Sequence, residues 1–229
     1  MSLTFVIFDL DNTLYPPGSG VMEEIGHRIQ LWLRRRLDLS REEAASLRRD
    51  YLHQHGTTMG GLMSEHAVDV PHYLDFVHDI PIEEHLEPNP VLIEMLERIP
   101  LRKVIYTNAT SEHGRRVLQA LGVFEQFERI IGIEEVGLDN KHHRRAYERM
   151  LSLLEASGSE CVMVEDSPRN LLPAKAVGMM TILVESETGG ERSGTDESFI
   201  DFTVRSVLDV EEVIDHLLEA DEAEGSGNR

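Results

Sequence analysis

VIFDLDNTLY, Val6 to Tyr15, begins as an apolar run and breaks at its end into two aspartates separated by one leucine. Two readings stand. The aspartates can be a polar turn, or a charged pair held at the end of a buried strand for chemistry. The run upstream, TFVIF (4–8), has counterparts in KVIYT (103–107), RIIGI (129–133), CVMVE (161–165) and MTILV (180–184). Most are β-rich and continuously apolar, as suits strands covered on both faces.

Helical patterns separate the last four. Asn89-Pro90 gives one an N-cap and a proline at the first helical position. SEHGRRVLQALG aligns Val117, Leu118 and Leu121 and stops at Gly122. Ser167-Pro168 opens another, and Asp209 with Glu212 resembles a capping box for the last. Strands alternating with helices predict an α/β fold with a parallel sheet.

Residues 16–87 break that alternation. Met22, Ile25, Ile29, Trp32 and Leu37 form a helical stripe, and Ser40 with Glu43 offers a capping box for a second helix. HGTTMGGLM interrupts with three glycines, and helical pattern resumes through His72 to Val77. About seventy residues is far beyond an ordinary connection, so a small helical domain is inserted after strand one. The expected organisation is a core of 1–15 plus 88–220, a helical cap at 16–87 and an acidic flexible tail at 221–229.

The formal net charge of −20 opposes binding of nucleic-acid polymers, yet leaves room for a small anionic substrate recruited by a divalent cation. Cys161, the single cysteine, reads as a buried strand thiol. No stretch approaches membrane-spanning length, and a cytoplasmic protein without membrane partners is expected. Glycine-rich nucleotide loops and the G-x-S-x-G elbow are absent. His53 and His55 point to different helix faces, and the eleven histidines are scattered.

In an open parallel sheet, ligands bind beyond the carboxyl ends of the strands. Three such ends carry chemistry here: Asp9-Leu10-Asp11-Asn12-Thr13, Thr107-Asn108 and Glu165-Asp166-Ser167. A polar loop near His143 adds Lys141. Each group alone reads as a turn, a cap or solvated surface. Together they gather up to four carboxylates at one sheet edge, and Mg²⁺, which favours hard oxygen ligands, would offset that charge.

These residues resemble the haloacid dehalogenase (HAD) superfamily of phosphohydrolases: DLDNT as motif I, Thr107 as motif II, Lys141 as motif III and EDSPRN as motif IV. The resemblance covers nearly the whole chain and implies a Rossmann-like core with an inserted helical cap of the C1 type. DLDNTLYP, HGTTMGGL and FVHDIPIEEHLEPNP are similar to the pyrimidine 5′-nucleotidase branch. The implied activity is Mg²⁺-dependent hydrolysis of a small phosphate monoester, such as a pyrimidine nucleoside 5′-monophosphate. Asp9 would be the nucleophile, and Asp11 the acid and base with a raised pKa. Asp9, Asp11 through its carbonyl, and Asp166 would hold the metal, with Glu165 direct or through water. Thr107, Asn108 and Lys141 would bind phosphate, Lys141 also balancing the charge on Asp9. Thr57 and Thr58 in the cap would contact the leaving group.

The chain departs from the family pattern at His142, where proline usually follows the lysine, and at Glu165, where the branch often has aspartate. Pro173 falls inside a helix and predicts a kink. Rival readings are a dehalogenase, disfavoured by Asp11, a sugar-phosphate mutase or phosphoglycolate phosphatase, and a non-catalytic interaction protein on the same scaffold.

Overall fold

A computed structural model of the chain describes residues 2–185 and 197–226. Its strands are β1 (Phe5–Phe8), β2 (Arg102–Tyr106), β3 (Arg129–Ile131), β4 (Cys161–Glu165), β5 (Met180–Val184) and β6 (Phe202–Val204). They form one parallel sheet in the order β3-β2-β1-β4-β5-β6. β1 shows why the strands are apolar throughout. Val6 and Phe8 pack into the core on one face, and Phe5 and Ile7 into the core on the other. Helices α5 (Pro90–Arg98), α6 (Ser111–Leu121) and α9 (Val210–Ser226) cover the first face; α7 (Arg144–Leu154) and α8 (Pro168–Ala176) cover the second.

Five strands are expected and six are present among the described residues. Phe202–Val204 is only three residues long, too short for pattern to reveal, and Asp201 anchors its start. The Asp201 carboxylate accepts from Thr181 N–H at 2.9 Å and from Lys175 Nζ at 2.6 Å. RIIGI ends two residues early: a Cβ on Gly132 would lie 2.3 Å from the Ser111 nitrogen, so the chain bends there close against the α6 start. The last capping box also sits one turn earlier than expected. Ser206 and Asp209 make it around a 3₁₀ turn at Val207–Asp209, and α9 follows. That helix reaches Ser226, into the segment expected to be flexible; 227–229 lie outside the described residues. Pro173 lies inside α8, which continues to Ala176.

Between β1 and α5 stand four helices: α1 (Val21–Leu37), α2 (Arg41–His55), α3 (Thr58–Glu65) and α4 (Val70–His78). They share their own apolar cluster, centred on Trp32, Tyr51, Leu62 and Tyr73. The glycine-rich stretch is helical where an interruption is expected. Gly56, at φ 77°, ends α2, and the Thr57 hydroxyl immediately caps α3 by accepting from Gly60 N–H at 2.9 Å. The glycines inside α3 serve packing: a Cβ on Gly61 would fall 2.2 Å from the Tyr51 ring. No described helix is long and apolar enough to cross a membrane.

Candidate active site

Strand register brings the carboxylates together. β1 lies between β2 and β4, with Phe8 opposite both Ile105 and Val164. One residue on, Asp9 comes level with Glu165, and its N–H donates to the Val164 carbonyl at 2.9 Å. Thr107 and Asp166 follow at the neighbouring strand ends. The site therefore sits where the chain order reverses about β1, the crevice position of open α/β sheets.

The chain turns back at once after β1. Asn12 adopts φ 64°, and the Leu10 carbonyl accepts from Thr13 N–H and Leu14 N–H at 3.3 and 3.0 Å. Leu10 is buried in the core, while Asp9 and Asp11 both line one cavity of 260 Å³ between the cap helices and the sheet edge. Thr13 Oγ1 donates to Asp9 Oδ2 at 2.9 Å. Asp11 Oδ1 accepts from the Tyr15 hydroxyl at 2.5 Å and lies 3.3 Å from His113 Nε2.

Lys141, fully buried, points its ammonium at Asp9 Oδ1 and at Glu165 Oε1, the latter 3.2 Å away. Burial alone would favour its neutral form, but Asp9 and then Glu165 outweigh that and hold its pKa above the ordinary lysine value. Asn108 Oδ1 accepts from Lys141 N–H at 2.9 Å and ties this loop to the end of β2. Thr107 Oγ1 accepts from Ala109 N–H at 2.9 Å. His142 N–H donates to Asn140 Oδ1 at 3.0 Å, a bond that the proline of the family pattern could not make. The departure thus supplies a different lock for the same lysine loop.

Glu165 is occupied by the protein. Oε1 accepts from Lys141 and from Asn170 Nδ2 at 2.5 Å, and Oε2 accepts from Ser167 N–H at 2.8 Å. Asp9, Glu165 and Asp166 offer oxygens that lie within 4.8 Å of one another. Burial, then Glu165, pushes the Asp9 carboxyl up to about 7 against the pull of Lys141. Burial, then Glu165 and Asp9, pushes Asp166 up to about 9. An all-oxygen cluster in which Asp9 and Asp166 resist ionisation because they are buried beside like charge fits a hard divalent cation.

The expectation that Asp11 carries the raised pKa is reversed. Burial pushes it up, but His113, the Tyr15 hydroxyl and His78 together outweigh burial and hold it below the usual value. Of the two aspartates of the Asp-Leu-Asp stretch, the raised one is Asp9, which is buried beside like charge.

In the cap, Thr57 spends its hydroxyl as the α3 cap, whereas Thr58 Oγ1 is buried at the cavity without a partner. Four residues of the site carry no sequence expectation. His113, on α6, stacks on His78 with ring centroids 4.6 Å apart. Asn170 holds Glu165 from inside EDSPRN, the position from which it could have been inferred. Arg48 and Tyr73, from α2 and α4, line the cavity wall with no motif to mark them.

Residues 4–178 match the family model of haloacid dehalogenase-like hydrolases. The chain belongs to that family. Within it, a yeast relative, phosphate metabolism protein 8 of Saccharomyces cerevisiae, is 27% identical over 132 residues, 54% of this chain and 41% of that protein. The chain thus aligns with less than half the length of this relative. Similar folds include a HAD phosphatase from Thermococcus onnurineus, with TM-score 0.63 and 19% identity, covering 93% of this chain and 98% of that one. The putative β-phosphoglucomutase of Thermotoga maritima gives TM-score 0.62 at 19% identity, covering 94% and 100%. The L-2-haloacid dehalogenase of Xanthobacter autotrophicus gives 0.57 at 18%, covering 93% and 98%. For this HAD hydrolase these likenesses establish the fold, and its own residues carry the argument on chemistry.

Proposed function

We propose that this HAD hydrolase is a Mg²⁺-dependent phosphatase of small phosphate monoesters, working through an aspartyl-phosphate. The observation that carries the reading is the pairing of Asp9 with the buried Lys141 ammonium, with Asp11 two residues on in the same cavity. Asp9 attacks phosphorus, the ester P–O bond breaks, and Asp11 gives its proton to the leaving oxygen. Asp11 then takes a proton from the water that attacks phosphorus, releasing phosphate and restoring Asp9. A phosphoryl dianion arriving beside Asp11 opposes its ionisation and raises its proton affinity. Thr107 and the Asn108 N–H bind phosphoryl oxygens, and Lys141 favours the ionised form of Asp9 and balances the added charge.

Asp9, Asp166 and the Asp11 carbonyl would hold the cation, with Glu165, already accepting three hydrogen bonds from the protein, reaching it through water. The cation would supply charge neutralisation at the transferred phosphoryl group. For the substrate, the likeness of the HGTTMGGL segment to pyrimidine 5′-nucleotidases supports a pyrimidine nucleoside 5′-monophosphate. The test is hydrolysis of p-nitrophenyl phosphate with Mg²⁺ and with EDTA. The expected result is a Mg²⁺-dependent rate absent from Asp9→Asn; no rate above that control sinks the reading. UMP and CMP set against sugar phosphates and phosphoglycolate then rank the leaving groups.

A further inference from the structure

The cap wall of the cavity carries polar groups with unused bonding capacity. Thr58 is 3% exposed, and its Oγ1 has no partner. Arg48 Nε is also buried without an acceptor, and among the described residues Tyr73 is the only titratable group acting on this guanidinium. Arg48 is half-buried as a whole, but a guanidinium nitrogen taken out of water ordinarily finds an acceptor. Room has been made for this one. A Cβ on Gly26, in α1, would stand 2.9 Å from Arg48 Nη2 and 3.0 Å from Nη1, so a larger residue would displace the guanidinium. Around it the wall is apolar, formed by Met22, Ile25, Leu74 and Val77. The same cavity is lined from the sheet edge by Asp9, Asp11 and Thr107.

We infer that Arg48, Thr58 and Tyr73 form the subsite for the leaving group, and that it takes a group presenting oxygen acceptors. The inference rests on the phosphatase reading for where the phosphate lies, and adds what the other end of the substrate must offer. Arginine donates and cannot accept, and its fork matches two oxygens side by side. A carboxylate, a second phosphate and the carbonyl edge of a base share that chemistry. The apolar wall accommodates the carbon frame between the two ends. A leaving group without acceptors would leave Arg48 and Thr58 desolvated and unpaired, which is how a polar site rejects a wrong substrate.

The test compares kcat/KM within two pairs in the presence of Mg²⁺. 3-Phosphoglycerate carries a carboxylate where glycerol 3-phosphate carries a hydroxymethyl group; UMP carries a base with two carbonyls that ribose 5-phosphate lacks. The wild type is expected to prefer the acceptor-bearing member of at least one pair by about tenfold or more, the scale of a hydrogen bond to a charged group. Which pair shows the preference identifies the source of the oxygens. Arg48→Met should bring that ratio to within about threefold, with Thr58→Val intermediate. No preference in either pair, or a ratio that survives Arg48→Met, overturns the inference. Calorimetric binding of the same four compounds to Asp9→Asn, and to Asp9→Asn with Arg48→Met, reads the subsite without turnover. Absence of Mg²⁺-dependent hydrolysis would fail the phosphatase reading while this binding ratio, present or absent, still decides the subsite.

Discussion

Asp9 ties the metal-free protein's stability to pH in a direction opposite to that of most paired carboxylates. Its folded pKa of about 7 stands above the ordinary aspartate value of 3.8. Between those values the folded state binds the proton more tightly than the unfolded chain, so stability falls as pH rises and the loss is complete above about 7. From pH 5 to pH 7 that spans about two units at ~1.36 kcal/mol each, or roughly 2–3 kcal/mol. Asp9→Asn removes the titrating group and keeps the shape. In EDTA, chemical denaturation of wild type and Asp9→Asn at pH 5 and pH 8.5 should show the wild type losing about 2–3 kcal/mol relative to the variant. In melting temperature this is roughly 4–12 °C for a chain of this size. Asp166 titrates in both proteins, and its shift, partly caused by Asp9, adds to the difference in the same direction. Added Mg²⁺ should restore the wild type more at pH 8.5 than at pH 5, because at low pH it must displace protons. Parallel stability curves, or a wild type that gains on the variant as pH rises, would refute the account of Asp9 as a buried carboxylate under like-charge pressure.

Gly61→Ala should destabilise despite alanine's better helix propensity, because its Cβ would meet the Tyr51 ring at 2.2 Å. We expect a net loss of about 1–3 kcal/mol in urea unfolding, and a gain would show that Tyr51 yields freely. Asp11→Asn should retain phosphate binding and lose about a hundredfold or more in kcat, the scale of general acid–base catalysis. An unchanged kcat would remove Asp11 from the proton path.

The parallel sheet and the meeting of its strand ends were legible because both follow from short-range signals. An apolar run ending in a carboxylate marks a strand, and parallel register then places Asp9 beside Glu165 without further information. Lys141 was legible from the family pattern even with His142 in place of proline. His113 was not, because nothing in SEHGRRVLQ distinguishes a buried histidine facing Asp11 from a solvated one; its position depends on how α6 packs over Leu10. Arg48 and Tyr73 escaped for the same reason, as they meet only when α2 and α4 are folded together. β6 escaped because three residues hold less than two periods of alternation. HGTTMGGLM misled in the other direction. Glycine weakens a helix in isolation, but here it lets α3 approach Tyr51, and packing outweighs propensity.

Asn140, next to the buried lysine, donates its amide to the His55 carbonyl at the end of α2, 2.8 Å away. Arg169, inside motif IV and in the first turn of α8, reaches the His53 carbonyl at 3.2 Å. The Lys141 loop and the start of α8 are thus both latched to one helix terminus of the cap, through backbone oxygens that any sequence provides. Any displacement of that terminus would break both bonds together, so the segments that hold Lys141 and Asp166 share one anchor point on the cap.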